Sequence, residues 1–231
     1  MRSAAEAIVL LPLNVPALLP ERLEGDASEV WEDLRLYLES HETSLKTLAF
    51  STARRLWLES IREARAVKAN AGFDEAARIF VAKLSDHADF GTVMFASLSV
   101  QSASVKERNA RWDGAEQTVE IDEGDWAGFV DEETPFAGTL PAASLQVVVL
   151  DASGEVVHHG RSGLALLARV RLAGRPELGV PRFEIVDRAE PFADREPVLL
   201  GISRALTPFL TPLEPRVVLP RDSQARDPSP P

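Results

Sequence analysis

Ala7-Ile8-Val9-Leu10-Leu11-Pro12 is an unbroken apolar run closed by a proline. A strand with one wet face alternates apolar and polar residues, so a run without alternation predicts a strand buried on both faces, in a sheet covered by helices. Pro12, Pro16 and Pro20 then exclude regular pairing in the stretch that follows.

Working outward, helical and extended periods alternate. From Ser28 onward, Val30, Trp31, Leu34, Tyr37 and Leu38 share one helical face. Leu45 to Phe50 reads as a second strand. Ser51 reads as the cap of a helix on which Ala53, Leu56, Trp57, Ile61, Ala64 and Val67 recur at helical spacing. Asn70-Ala71-Gly72 stops that helix, and Phe73, Ala76, Ala77, Phe80 and Leu84 mark another running to about His87. Phe90 to Val100 reads as a third strand whose alternation carries on as far as Trp112. Asp113-Gly114 suits a hairpin turn with positive φ at both central residues, which returns Gln117 to Ile121 antiparallel. Leu145 to Leu150 and Glu155 to His159 form a second hairpin around Asp151-Ala152-Ser153-Gly154. Leu164 to Leu172 fits either period, Arg175 to Pro191 reads as irregular, and Arg195 to Leu210 reads as a last helix with Pro197 in its first turn.

The order β-α-β-α-α-β, two hairpins and a C-terminal helix predicts an α/β protein, with a mixed sheet and helices on its faces, as one domain over residues 1–213. Residues 214–231 read as a proline-rich tail, and Pro220 to Pro231 is expected to be disordered because it has nothing to pack.

Composition narrows the partners. With 36 acidic and 25 basic residues the formal net charge is -11, and the bases are spread along the chain, so binding to a phosphate backbone is not expected. Apolar residues at 45% and charged residues at 26% match an ordinary folded chain. The absence of cysteine excludes disulfides, thiolate metal sites and a cysteine nucleophile in these 231 residues. The apolar run Ala7–Leu13 falls far short of the roughly 20 residues that span a bilayer, and Met1-Arg2-Ser3 lacks the regions of a signal peptide. On these grounds the chain is cytoplasmic if Met1 is its native start. Membrane attachment is expected only through an N-terminal anchor removed from this sequence.

Three stretches resemble a group of bacterial envelope proteins. Ala7 to Pro12, AIVLLP, resembles the group's opening strand. Ala88-Asp89-Phe90 and the apolar strand after it resemble a helix, Ala-Asp, strand junction. Leu145 to His158, LQVVVLDASGEVVH, is similar to a late hairpin in which an apolar strand meets an aspartate, a Ser-Gly turn and a glutamate. The group comprises the amino-terminal domain of TolB, the lipoproteins that activate penicillin-binding proteins, and the lipoprotein of the curli secretion channel. The resemblance spans residues 7–160 in element order. It implies a compact α/β domain that docks on protein partners in the periplasm or at the outer membrane without catalysis, and ring assembly in the curli-channel proteins adds homo-oligomerisation as an expectation. The lipoprotein cysteine is missing here.

Catalytic and cofactor motifs are not found. Gly160-Arg161-Ser162-Gly163 lacks the spacing of a nucleophile elbow, and no phosphate-binding glycine loop occurs. His158 and His159, adjacent on a strand, point to opposite faces and cannot ligate one ion together. No catalytic residue, cofactor or metal is therefore expected. The most informative oddity is Asp122 to Gly138, DEGDWAGFVDEETPFAG. It sets acids, Asp125, Asp131 and Glu132 among them, around Trp126, Phe129 and Phe136 with no basic residue. Counted as a calcium loop from Asp122, it puts Gly124 and Trp126 at ligand positions and Ala127 where the turn glycine belongs. Two readings remain for Trp126, Phe129, Phe136, Asp125, Asp131 and Glu132. They form a docking loop of aromatic anchors with an acidic rim, or the aromatics fold back on the core and the acids stay wet. The functional expectation is a non-enzymatic protein-binding accessory protein of a bacterial envelope. The alternative is a hydrolase or metal-dependent enzyme whose residues converge only in the fold.

Overall fold

The computed structural model describes residues 7–41, 43–127, 136–174 and 182–210. In chain order the elements are β1 (Ile8–Leu10), α1 (Ala27–Glu39), β2 (Leu45–Thr47), α2 (Phe50–Val67), α3 (Phe73–Ser85), β3 (Thr92–Lys106), β4 (Asn109–Trp112), β5 (Ala115–Thr118), β6 (Ile121–Asp122), β7 (Gly138–Asp151), β8 (Val156–Leu166), β9 (Ala168–Ala173), β10 (Arg182–Asp187) and α4 (Arg195–Leu206). Short 3-10 turns lie at Glu21–Leu23 and Gly124–Trp126. The fold is α/β, with a mixed sheet, helices on both faces and a C-terminal helix.

β3 organises the larger sheet. One of its edges pairs antiparallel with β7 from Thr92–Asp151 to Val105–Gly138, and β8 continues the sheet beyond β7. The other edge is shared by two neighbours. β1 pairs parallel at Thr92–Met94, with β2 parallel outside it, and β4 pairs antiparallel at Ser104–Lys106. Side chains of β3 alternate between two cores. Met94, Ala96 and Leu98 join the core under α1 and α4, while Val93 and Phe95 join the core under α2 and α3, where Trp57, Phe73 and Phe80 surround the Phe95 ring. β1 alternates likewise, with Val9 in the second core and Ile8 and Leu10 in the first, as the unbroken apolar run demands.

Farther along, Ala103 and Val105 join a third core with Ala110 and Trp112 of β4, Leu140 of β7, and Ala168 and Val170 of β9. The β4–β5 hairpin folds back over this core and is stapled to β7 and β8. Trp112 Nε1 donates to the Ala143 carbonyl at 3.1 Å, and Ser144 Oγ donates to Asp113 Oδ2 at 2.6 Å. Gln117 Nε2 donates to the Leu164 carbonyl at 3.0 Å, and the Leu166 N–H donates to Gln117 Oε1 at 3.1 Å. A smaller sheet, in the order β10-β9-β6, adjoins this end.

α4 sits on β8 at glycine distance. A Cβ on Gly160 would collide with the Ala205 carbonyl, and one on Gly201 would stand 2.5 Å from the Gly163 carbonyl oxygen. The Arg195 guanidinium at the start of α4 pairs with Asp33 of α1, whose side chain is only 4% exposed, and so ties together the two helices of that face.

Several boundaries depart from the sequence expectation. The second strand ends at Thr47 and its helix starts at Phe50 without a Ser51 cap, because β1 offers only Ile8–Leu10 for pairing before its proline. β3 does not run to Trp112. It turns at Glu107-Arg108, where both residues have positive φ, 51° and 68°, without a glycine to announce it. The late hairpin is longer than its apolar cores because β7 follows β3 over the full ladder. Arg182–Asp187, inside the stretch read as irregular, is a strand, and the last helix stops at Leu206. The tail at 214–231 lies outside the described residues.

Asn14 carries the pairing of β3 past the prolines. Its backbone is left-handed, φ 57°, its N–H donates to the Ala96 carbonyl at 2.9 Å, and its carboxamide makes both bonds to Leu98, accepting from the N–H at 2.8 Å and donating to the carbonyl at 3.0 Å. Asn14→Ala leaves two buried backbone groups unpaired and is expected to cost about 2–4 kcal/mol, read as a lower urea midpoint with an unchanged m-value.

Candidate interaction surface

The aromatics of the Asp122–Gly138 stretch are divided by their placement. Trp126, on the 3-10 turn beside β9, is 3% exposed, and Phe136 is 7% exposed within the third core. Both therefore pack inward where described, and neither presents a free ring to a partner. Phe129, Asp131, Glu132 and the side chain of Asp125 lie outside the described residues. Asp122, at the start of the stretch, and Glu120, just before it, face arginines. Asp122 lies 3.6 Å from Arg169, and Glu120 lies 3.5 Å from Arg169 and 3.1 Å from Arg188.

What this core supports at the surface is β10. β9 sits between β6 and β10, and among the described residues no strand pairs with the outer edge of β10. The register places Phe183 opposite Leu172 and Ile185 opposite Val170, so these two side chains extend the face of the third core outward. The Phe183 ring lies 5.3 Å from that of Phe136, and the two side chains that continue the core into solvent, Phe183 and Ile185, are 39% and 53% exposed. β10 thus combines an open hydrogen-bonding edge with an apolar strip.

An open groove of about 500 Å³ runs beside it. Val100 and Ser102 of β3 with Thr139 and Pro141 of β7 supply one side, and Ile185 and Asp187 of β10 with Arg22 supply the other. Arg22 pairs with Asp187 across this wall, and Glu184 takes Arg171 at 2.6 Å, which raises the Arg171 guanidinium further above its ordinary range. The two acids of β10, Glu184 and Asp187, are therefore matched within the chain. Sequence reading passed over Phe183 and Ile185, although Arg182-Phe183-Glu184-Ile185-Val186-Asp187 alternates at strand period, because the proline and glycine just before it suggested a loop.

The histidines fall on opposite faces as the strand geometry requires. His158 is buried with Nε2 2.8 Å from the Ala205 carbonyl oxygen, while exposed His159 lies against Gln146 at 2.9 Å. Among the described residues no group of three or more histidine, aspartate or glutamate side chains is arranged to hold a metal ion.

No protein-family model matches the chain, and no curated protein matches it. Among solved structures it is similar to a neuraminyllactose-binding hemagglutinin homolog from Helicobacter pylori, at 11% identity and a TM-score of 0.33, over 89% of this chain and 87% of that one. A likeness this distant has no bearing on function.

The indole N–H of Trp126 is buried and has no acceptor among the described residues. Trp126→Ala, which empties a core site, is expected to cost about 3–5 kcal/mol. Trp126→Phe removes the unmet donor and keeps most of the ring, so its cost is expected below about 1.5 kcal/mol. Equal losses for both variants in thermal or urea unfolding would show that the N–H, not the ring, matters.

Proposed function

We propose that this chain is a non-enzymatic accessory protein that binds another protein, and that it receives an extended segment of that partner along β10. The observation that carries the reading is the open edge of β10 beside the exposed apolar pair Phe183 and Ile185. A bare strand edge presents unpaired N–H and C=O groups in a row, and natural proteins ordinarily blunt such an edge with proline, inward charge or a covering element. β10 has no proline, and its two exposed apolar side chains, Phe183 and Ile185, lie on one face. That combination suits strand addition, in which the backbone supplies affinity and alternate side chains enter the adjoining groove.

The setting we propose is a bacterial cell envelope, at the periplasm or outer membrane. Support for it is the resemblance of residues 7–160 to envelope docking proteins, and the partner is then another envelope protein or a second copy of the chain. Phe129, Asp131 and Glu132, which lie outside the described residues, are proposed as further contacts for the partner.

Ile185→Lys places a charge on the apolar strip without touching a buried side chain. In capture experiments from envelope extract it is expected to weaken retention of the partner at least about tenfold, or about 1.4 kcal/mol. Leu200→Lys, on the exposed side of α4 at 48% exposure, is expected to retain it fully. Equal capture by both variants would remove β10 from the binding surface.

A further inference from the structure

α2 carries an outer face that its packing does not explain. Ala53, Leu56, Trp57, Ser60 and Ala64 form its buried side. At 3.6 residues per turn, Phe50, Arg54, Leu58, Ile61, Arg62 and Arg65 fall together in an arc of about 120° away from that side. Phe50 and Leu58 are 53% and 38% exposed. Arg62 and Arg65 are also exposed, and among the described residues neither is in an ion pair. Leu58 has Arg54, Arg55, Ile61 and Arg62 as its neighbours at i±3 and i±4.

No acid of the helix enters this arc. Glu59 and Glu63 stand on the flank toward α3, where Lys83 lies 2.7 Å from Glu63 and 4.0 Å from Glu59. Arg55, at the border, lies 3.7 Å from Glu59. Arg54 donates to the Val15 carbonyl and so ties the proline-rich loop to the other border. A solvated helix face ordinarily intersperses acids with bases at i, i+4. Here arginines alternate instead with Phe, Leu and Ile, in a chain whose net charge is -11.

That mixture selects among anionic partners. Guanidinium groups hold phosphate oxygens, and apolar side chains set between them enter the boundary of headgroups and acyl chains. A nucleic acid meets the first demand and offers Phe50 and Leu58 no apolar phase. The row at 50, 54, 58, 61 and 65 runs Phe, Arg, Leu, Ile, Arg, whereas a protein groove that seats a helix takes an apolar stripe at such spacing. The acids of α1 lie across the sheet from α2, and a Debye length of about 10 Å in 0.1 M salt lets the nearer arginines set the local field.

We propose that the outer face of α2 docks this protein on an anionic bilayer surface, with Arg62 and Arg65 on lipid phosphates and Phe50 and Leu58 in the boundary beneath them. The contact is peripheral and needs no N-terminal anchor. It stands apart from the β10 reading, since no residue of α2 belongs to that strand or its groove.

The test is co-sedimentation of the full chain with large vesicles of phosphatidylcholine alone or with about one third phosphatidylglycerol. The parent is expected to bind the mixed vesicles, to leave the neutral ones, and to release as salt rises. R62E/R65E is expected to lower partitioning at least about tenfold. K106E/R111E makes the same change of charge at the far end of β3, on side chains 86% and 71% exposed, and is expected to stay within about threefold of the parent. L58Q, which keeps every charge, is expected to lower partitioning at least about threefold. No binding of the parent to mixed vesicles, equal losses from the two double variants, or partitioning unchanged by L58Q overturns the proposal. Binding to poly-glutamate with none to vesicles also overturns it, and assigns the face to an acidic protein.

Discussion

The demand that every buried backbone group find a hydrogen-bond partner governs this molecule, and β3 is where it presses hardest. A strand from Thr92 to Lys106 is longer than any neighbour on its β1 side, which ends at Leu10 before a proline and resumes only with β4 at Asn109. Asn14 bridges part of the interval with its carboxamide, imitating one more residue of strand at Leu98. Gln117 does the same between β5 and β8. Each amide side chain presents an N–H donor and a C=O acceptor in one plane, as a peptide group does, so it completes a ladder where the backbone cannot follow.

The surface at β10 is a consequence of that long strand. Because β3 and β7 outrun the helices, their far ends need a separate cover, which the β4–β5 hairpin and β9 provide around Ala103, Val105, Leu140 and Val170. β9 in turn recruits β10, whose second edge has no counterpart among the described residues. The apolar strip of Phe183 and Ile185 is thus the outermost layer of a core that begins inside the main sheet, and its position is fixed by packing through Phe136.

Element type and order were largely legible in the sequence because each depends on local period. The doubly buried β1, the faces of α1, α2 and α3, and the Asp113-Gly114 turn follow from spacing and turn chemistry alone. What stayed hidden depends on residues distant in sequence. The Glu107-Arg108 turn is imposed by the pairing of β3 with β4, against the preference of both residues for negative φ. β10 is a strand only because β9 lies beside it, and the length of β7 is inherited from β3. The Asp122–Gly138 stretch shows the same limit for the candidate site. Aromatic residues in a loop read equally as anchors for a partner or for the core, and only the position of β9 decides Trp126 in favour of the core.

The seam between α4 and β8 bears on how this chain can vary over time. Gly160, Gly163 and Gly201 are held by volume, since backbone from the opposing element occupies the space of a side chain at Gly160 and Gly201, and the Trp112 ring does so at Gly163. Most of the surface accepts replacement freely, yet a methyl group at Gly160 or Gly201 forces helix and sheet apart, and one at Gly163 forces the β4–β5 hairpin off β8. Descendants of a common ancestor that have lost recognisable identity elsewhere would still need a Gly-x-x-Gly on the last long strand and a glycine midway along the closing helix. That sparse pattern is the mark by which distant kin of this protein could be told from chance resemblances of fold.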